Sequence, residues 1–183
     1  MRWTMRQEPV GGGGSLTAPP PAPSPAVLDV PAVESTSEAL LDLDADGEVL
    51  EVPASLRDPA DLARHLGVPP AAVAATAVLR TRDGRHLFVV SSTAHPLFTP
   101  ALAAVLCEPE LFRDDDTDVL RRTGSVLGSA SPLGLAVPLP TFVDVALAPY
   151  PQIWVPAGHP HAVFRTRYDE LLRLTGGHPV ELG

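Results

Sequence analysis

Thr76-Ala-Val-Leu-Arg-Thr-Arg82, then Asp83-Gly84, then His86-Leu-Phe-Val-Val-Ser91 is the stretch whose reading decides the fold. Both runs are rich in residues that suit an extended, half-buried chain, and Asp-Gly between them is a strong signal for a tight hairpin turn. An antiparallel pair therefore sits near the middle of the chain. Working back, Pro69 and Pro70 start a short helical turn ending near Val73. Asp58-Pro59 opens a helix, with Asp58 as N-cap and Pro59 at the first helical position. Leu62, Ala63 and Leu66 form its apolar stripe and Gly67 closes it. Glu48 to Val52 alternates like a strand and Pro53 ends it. A first helix is expected to begin near Ser35 or Ser37, with a hydroxyl as its cap. Working forward, residues 92–95 form a loop and Pro100 to Leu106 a helix. Leu111 to Arg113 is a short strand. Val119 to Arg122 is a helical turn closed by Gly124. Thr141 to Val145, Gln152 to Ala157 and Ala162 to Arg165 read as strands. Tyr168 to Leu174 is an amphipathic helix, and Val180 to Leu182 a closing strand. Strands and helices mix without strict βαβ alternation, which gives an α+β domain built on a mixed sheet.

Composition narrows the function. The net charge is −9, which opposes non-specific binding along a nucleic-acid backbone, so DNA is not an expected partner. Docking to one end of an RNA through local arginines remains compatible with that charge. Cys107 is the single cysteine, so an internal disulfide and a cysteine-rich zinc site are excluded. No run approaches the length of a membrane span. Arg2 and Arg6 are followed by no apolar core of a secretory signal, so a cytoplasmic setting is expected. Residues 1–33, with Gly11 to Gly14 and the Pro19–Pro25 run, read as a disordered tail; a ligand for a proline-binding domain is the alternative there. The folded domain is expected to span 34–183. All 13 basic side chains are arginine, so no step can use a lysine ammonium.

The chemistry-bearing stretch is Thr123-Gly-Ser-Val-Leu-Gly-Ser-Ala-Ser-Pro-Leu-Gly134. Glycines at 124, 128 and 134 allow backbone angles closed to other residues, and Pro132 restrains Ser131 before it. Two readings stand side by side: a tight helix-to-strand connection, or a loop whose backbone N–H groups form an anion or oxyanion nest. Ser129 and Ser131 raise the thought of a serine hydrolase, but the spacing Gly128-x-x-x-Pro132 is not a nucleophile elbow. Gly158-His159-Pro-His161 follows a strand. No third metal ligand accompanies these histidines, and a cleft-lining His159 that donates hydrogen bonds or moves protons is the better reading. The acidic run Asp114 to Asp118 favours a helix N-terminus over a cation site, and Asp144 reads as a turn-ordering carboxylate.

Taken in order, six pieces of the chain resemble the YbaK family, the free-standing relatives of the editing insertion domain of bacterial prolyl-tRNA synthetase. They are Leu66 to Thr76, the hairpin segment Arg82 to Val90, the loop Thr123 to Gly134, Phe142 to Leu147, Val155 to Gly158, and Tyr168 to Gly176. The resemblance covers roughly residues 38–183. It implies a mixed, barrel-like sheet flanked by helices. It also implies hydrolysis of the ester joining a wrong amino acid to tRNA, without metal or cofactor. The acceptor end of an aminoacyl-tRNA would then be the partner; whether a synthetase docks alongside stays open. The family's Gly-x-x-x-Pro loop corresponds to Gly128, Ser129, Ala130, Ser131 and Pro132, with Gly134 closing it, and these would hold the aminoacyl group. Thr76 and His159 would stand at the mouth, Gly158 would join the substrate-binding set, and the catalytic positions would be Ala75, Thr76 and Gly128.

Two positions depart from the family pattern. A lysine commonly precedes the Thr or Ser that enters the first hairpin strand, and here that position is Ala75. The second glycine of the loop's usual pair is Ser129. If Arg80, Arg82 or Arg165 pointed into the cleft, one of them would replace the missing cation. A weakened deacylase, or a module that binds an aminoacyl-tRNA end or small ligand without catalysis, are the two functional readings.

Overall fold

The structure is a computed structural model and describes residues 26–56, 58–95, 97 and 99–182. Most of the expected tail lies outside these residues. Its last part does not: a 3-10 turn at Val27–Asp29 leads into α1, Pro31–Asp42. This helix starts earlier than the serines suggested, because Pro31 takes the first helical position and the extended Val30 precedes it. The Thr36 and Ser37 hydroxyls donate to the Ala32 and Val33 carbonyls one turn back, at 2.8 and 3.0 Å. They are interior helix residues and not caps. Val33, Thr36 and Leu40 form the buried stripe.

The remaining elements follow the expected order. They are β1 (Val49–Glu51), α2 (Pro59–Leu66), β2 (Ala74–Thr81), β3 (His86–Ser92), α3 (Thr99–Val105), β4 (Leu111–Arg113) and α4 (Asp116–Thr123). β5 (Thr141–Asp144), β6 (Ile153–Pro156), β7 (Ala162–Thr166), α5 (Tyr168–Thr175) and β8 (His178–Val180) complete the domain. Asp58 caps α2 by accepting from the Ala60 amide at 2.7 Å, with Pro59 at the first position. The closing strand lies slightly earlier than expected and pairs parallel with β5.

The strands form two open sheets rather than one closed barrel. The larger is mixed, in the order β4-β2-β3-β5-β8, and the smaller is antiparallel, in the order β1-β7-β6. A bridge between Val73 and Trp154 ties them at one corner. Strand alternation sends neighbouring residues to opposite faces. Val78, Phe88 and Val90 face the smaller sheet, where Ile153, Val155 and Phe164 meet them, with Val33 of α1 and Leu171 of α5 filling in. Leu79, Leu87 and Val89 face the other way and are covered by Leu102 and Ala103 of α3. The α+β class with a mixed sheet and flanking helices is thus established. What the packing positions is the start of β2, which lies at the corner where the two sheets meet.

Candidate active site

At that corner the start of β2, the glycine loop after α4, the β6–β7 turn and helix α2 enclose a cavity of about 250 Å3. Leu56, Leu62, Val73, Leu127 and Val163 give it apolar walls, and Ala75, Gly128, Ser129 and His159 also line it. The size is below the ~300–1,000 Å3 of a drug-sized ligand pocket. That volume matches a small acyl group and falls short of a whole nucleoside.

The glycine loop contributes less of itself than its sequence implied. Gly128 takes a left-handed φ of 79°, and an added Cβ would meet nothing within 4 Å. The requirement there is conformational and not steric. The Gly128 amide donates to no described residue. The Ser129 amide is occupied, since it donates to the Val126 carbonyl at 3.1 Å. Beyond Ser129 the chain enters the core. Ala130 and Leu133 join the main hydrophobic cluster, and the Ser131 hydroxyl accepts from the Leu133 amide at 3.1 Å. Ala130, Ser131, Pro132 and Gly134 therefore do not line the cavity. The Ser129 hydroxyl donates to the Val126 carbonyl at 2.9 Å. Both serines thus spend their side chains on the loop's own backbone, which does not suit a covalent nucleophile.

Thr76, expected at the mouth, and Gly158, expected in the substrate site, both brace the loop, and Thr76 also lines the outer recess of the cleft. The buried Thr76 hydroxyl donates to the Ala130 carbonyl at 2.8 Å, pinning the loop to β2. The Gly158 amide donates to the Ser129 carbonyl at 2.9 Å, pinning it to the β6–β7 turn. Neither lines the cavity. An added Cβ at Gly158 would fall 2.8 Å from the Ala32 carbonyl carbon, and one at Gly134 would fall 2.4 Å from the Ser35 carbonyl oxygen. Helix α1 is thus seated directly on the backbone of both segments.

His159 does line the cavity. Its Nδ1 accepts from the His161 amide at 3.1 Å, so in the neutral ring the proton sits on Nε2. Burial, reinforced by the nearby His161, pushes the His159 imidazole below the ordinary histidine value. It is a neutral hydrogen-bond donor near pH 7. One Asp144 carboxylate oxygen accepts from the Ser92 amide at 3.1 Å and the other from the Ala146 amide at 3.0 Å, as a turn-ordering group would, and His95 Nδ1 lies 3.9 Å from the first of them.

None of the three arginines considered as replacement cations lines the cavity. Arg80 lies over the Phe112 ring at 5.3 Å and 3.8 Å from Asp114. Arg82 is exposed at the hairpin tip. Arg165 lines a separate recess with Asp46 and Glu170. Sequence reasoning missed the second half of the cleft. A recess of about 260 Å3 shares Pro59, Ala75 and Thr93 with the first cavity, and Thr76, His95 and Arg113 line it further out. Leu62 was legible only as a packing residue of α2. Its role as a cavity wall depends on where that helix lands.

Fold and site together define an α+β domain with a small acyl-sized pocket, walled on one side by a glycine-turned backbone. The chain belongs to the aminoacyl-tRNA editing domain family, whose model matches residues 54–174. It is similar to the crystal structure of a candidate trans-editing enzyme for prolyl tRNA synthetase, at 27% identity and a TM-score of 0.78, over 88% of this chain and 98% of that one. A scaffold protein used for epitope backbone grafting is similar at 28% identity and a TM-score of 0.77, over 83% of this chain and 97% of that one. A hypothetical protein at 20% identity and a TM-score of 0.73, over 81% of this chain and 98% of that one, shares the fold. No curated protein matches the sequence.

Proposed function

We propose that the protein is a trans-editing deacylase that hydrolyses the ester of a mischarged tRNA, with a rate reduced by the alanine at position 75. The observation that carries this reading is the acyl-sized cavity with Gly128, Ser129, Ala75 and His159 on its walls. The side chain of the wrong amino acid lies among Leu62, Val73 and Val163, which favours a small aliphatic group. An aminoacyl ester is already activated. Fixing its carbonyl beside the Gly128 amide and the His159 Nε2–H, and admitting a water, is sufficient chemistry without a nucleophilic side chain. Water oxygen bonds to the carbonyl carbon and the bond to the ribose oxygen breaks. One water proton ends on the ribose oxygen, which leaves as the hydroxyl, and the other is released to solvent as the amino acid departs as its carboxylate.

Ala75 favours a second reading, a module that binds the aminoacylated end without turning it over. A panel of mischarged tRNAs tested on wild type and Ala75→Lys separates the two. The deacylase reading expects measurable wild-type hydrolysis of at least one small aliphatic aminoacyl-tRNA. It also expects an increase of about tenfold or more in the lysine variant, the size of one charge-assisted contact. Hydrolysis in the variant alone would establish the binding module instead.

A further inference from the structure

The two halves of the cleft differ in chemistry. The inner cavity is mainly apolar, with Asp58, Ser129 and His159 as its polar edge, and is the size of an acyl group. The outer recess, which shares Pro59, Ala75 and Thr93 with it, carries hydroxyls, His95 and one arginine. That arginine is Arg113, and the sheet register puts it there. Arg113 of β4 pairs with Leu79 of β2. Paired residues project to the same face, and so do residues two apart along a strand. Leu79, Ala77 and Ala75 therefore form a row on the face from which Arg113 rises at the sheet edge.

The charge environment leaves Arg113 available. The adjacent acid, Asp114, is buried and turned toward a different set of partners. His86 Nε2 lies 3.2 Å from it, Arg122 Nε 3.7 Å and Arg80 Nε 3.8 Å. Among the described residues Arg113 forms no ion pair. A terminal nitrogen donates to the Leu97 carbonyl at 3.1 Å, which aims the guanidinium without neutralising it. An exposed, aimed and uncompensated guanidinium at the rim of a recess is a phosphate-binding arrangement.

We propose that Arg113 is the cation of this cleft, and that it binds a backbone phosphate of the substrate's acceptor end while the aminoacyl group occupies the inner cavity. The proposal rests on the reading of the inner cavity as an aminoacyl site. It places the positive charge across the recess from position 75, in the side chain of an edge strand and not in β2 itself. Ala75 lines both halves and offers only a methyl group where the ribose would cross between them.

The test compares wild type, Arg113→Ala and Arg113→Lys on two substrates bearing the same amino acid: the aminoacyl-tRNA, and the 3′-aminoacyl adenosine that lacks any phosphate. Binding of a labelled, uncharged acceptor-stem hairpin is measured across a salt series in parallel. The expected result is a fall of about tenfold to a hundredfold in kcat/KM on the tRNA for Arg113→Ala, with partial rescue by lysine and little change on the nucleoside ester. The salt dependence of hairpin binding should also lose roughly one phosphate contact. Equal losses on both substrates, or no loss on the tRNA together with an unchanged salt slope, would overturn the proposal. If the wild type hydrolyses neither substrate, the deacylase reading fails, and the salt series decides on Arg113 alone. A slope that depends on Arg113 then sustains the phosphate contact, and one that does not removes it. Unfolding curves of the variants confirm that an exposed position has been changed without loss of fold.

Discussion

The Thr76 hydroxyl bond to Ala130 makes a prediction that separates bracing from catalysis. Thr76→Val keeps the shape and β-branching of the side chain but removes the donor. Ala130 is 2% exposed and Thr76 7%, so water does not replace the lost partner, and the carbonyl is left buried and unpaired. Such a group costs ~1–3 kcal/mol. Taking about 2 kcal/mol as the centre, the melting temperature of a domain this size falls by roughly 4–8 °C. Urea denaturation should show a lower midpoint with an unchanged slope. Thr76→Ser retains the hydroxyl and should recover most of the loss. Activity should follow the same order, because Ser129 and Gly128 hang from the same loop: kcat/KM falls in the valine variant and is largely kept in the serine variant. A valine variant as stable as wild type would refute the bracing role. So would a serine variant as damaged as the valine one.

Two further outcomes concern the frame around the site. Gly158→Ala should destabilise more than Gly128→Ala: the first drives a methyl into the Ala32 backbone at 2.8 Å, whereas the second meets open space and bears only the left-handed φ, a strain of ~1–2 kcal/mol; thermal denaturation of the pair checks the order. Burial alone would raise the Glu170 carboxyl, but hydrogen bonds from the Asp46 amide and the Thr166 hydroxyl, each 2.7 Å, hold it below the ordinary glutamate value. A depressed carboxylate stabilises the fold above the unfolded value near 4.5 and loses that contribution as pH falls through the folded value. Glu170→Gln should therefore be less stable than wild type at pH 7, with the gap closing in acid.

Local signals were legible wherever the chain obeys local rules. Asp58-Pro59 and the Gly67 terminator bounded α2, and Asp83-Gly84 with alternating apolar residues marked the hairpin. The start of α1 was misjudged because serine and threonine serve equally as caps and as interior residues bonding back one turn, and Thr36 and Ser37 do the latter. Parallel pairing of β3, β5 and β8 joins segments far apart in the chain, and nothing local encodes it. The candidate site divided along the same line. His159 was legible as a cleft-lining residue from its place just after a strand, and Gly128 and Ser129 were placed at the pocket through the family resemblance, while Ala130 and Ser131 turn into the core. That turn depends on tertiary contacts with Thr76. Arg113 was read only as the end of a short strand, since its relation to Ala75 exists only through the pairing of β4 with β2.

Helix α1 lies ahead of the segment that the family model matches, yet it is bedded on the main chain at Gly134 and Gly158, behind the two walls of the inner cavity. Trimming the protein to the matched segment would strip away that backing. Anything that grips the chain before Pro31 takes hold of a lever whose far end rests against the pocket.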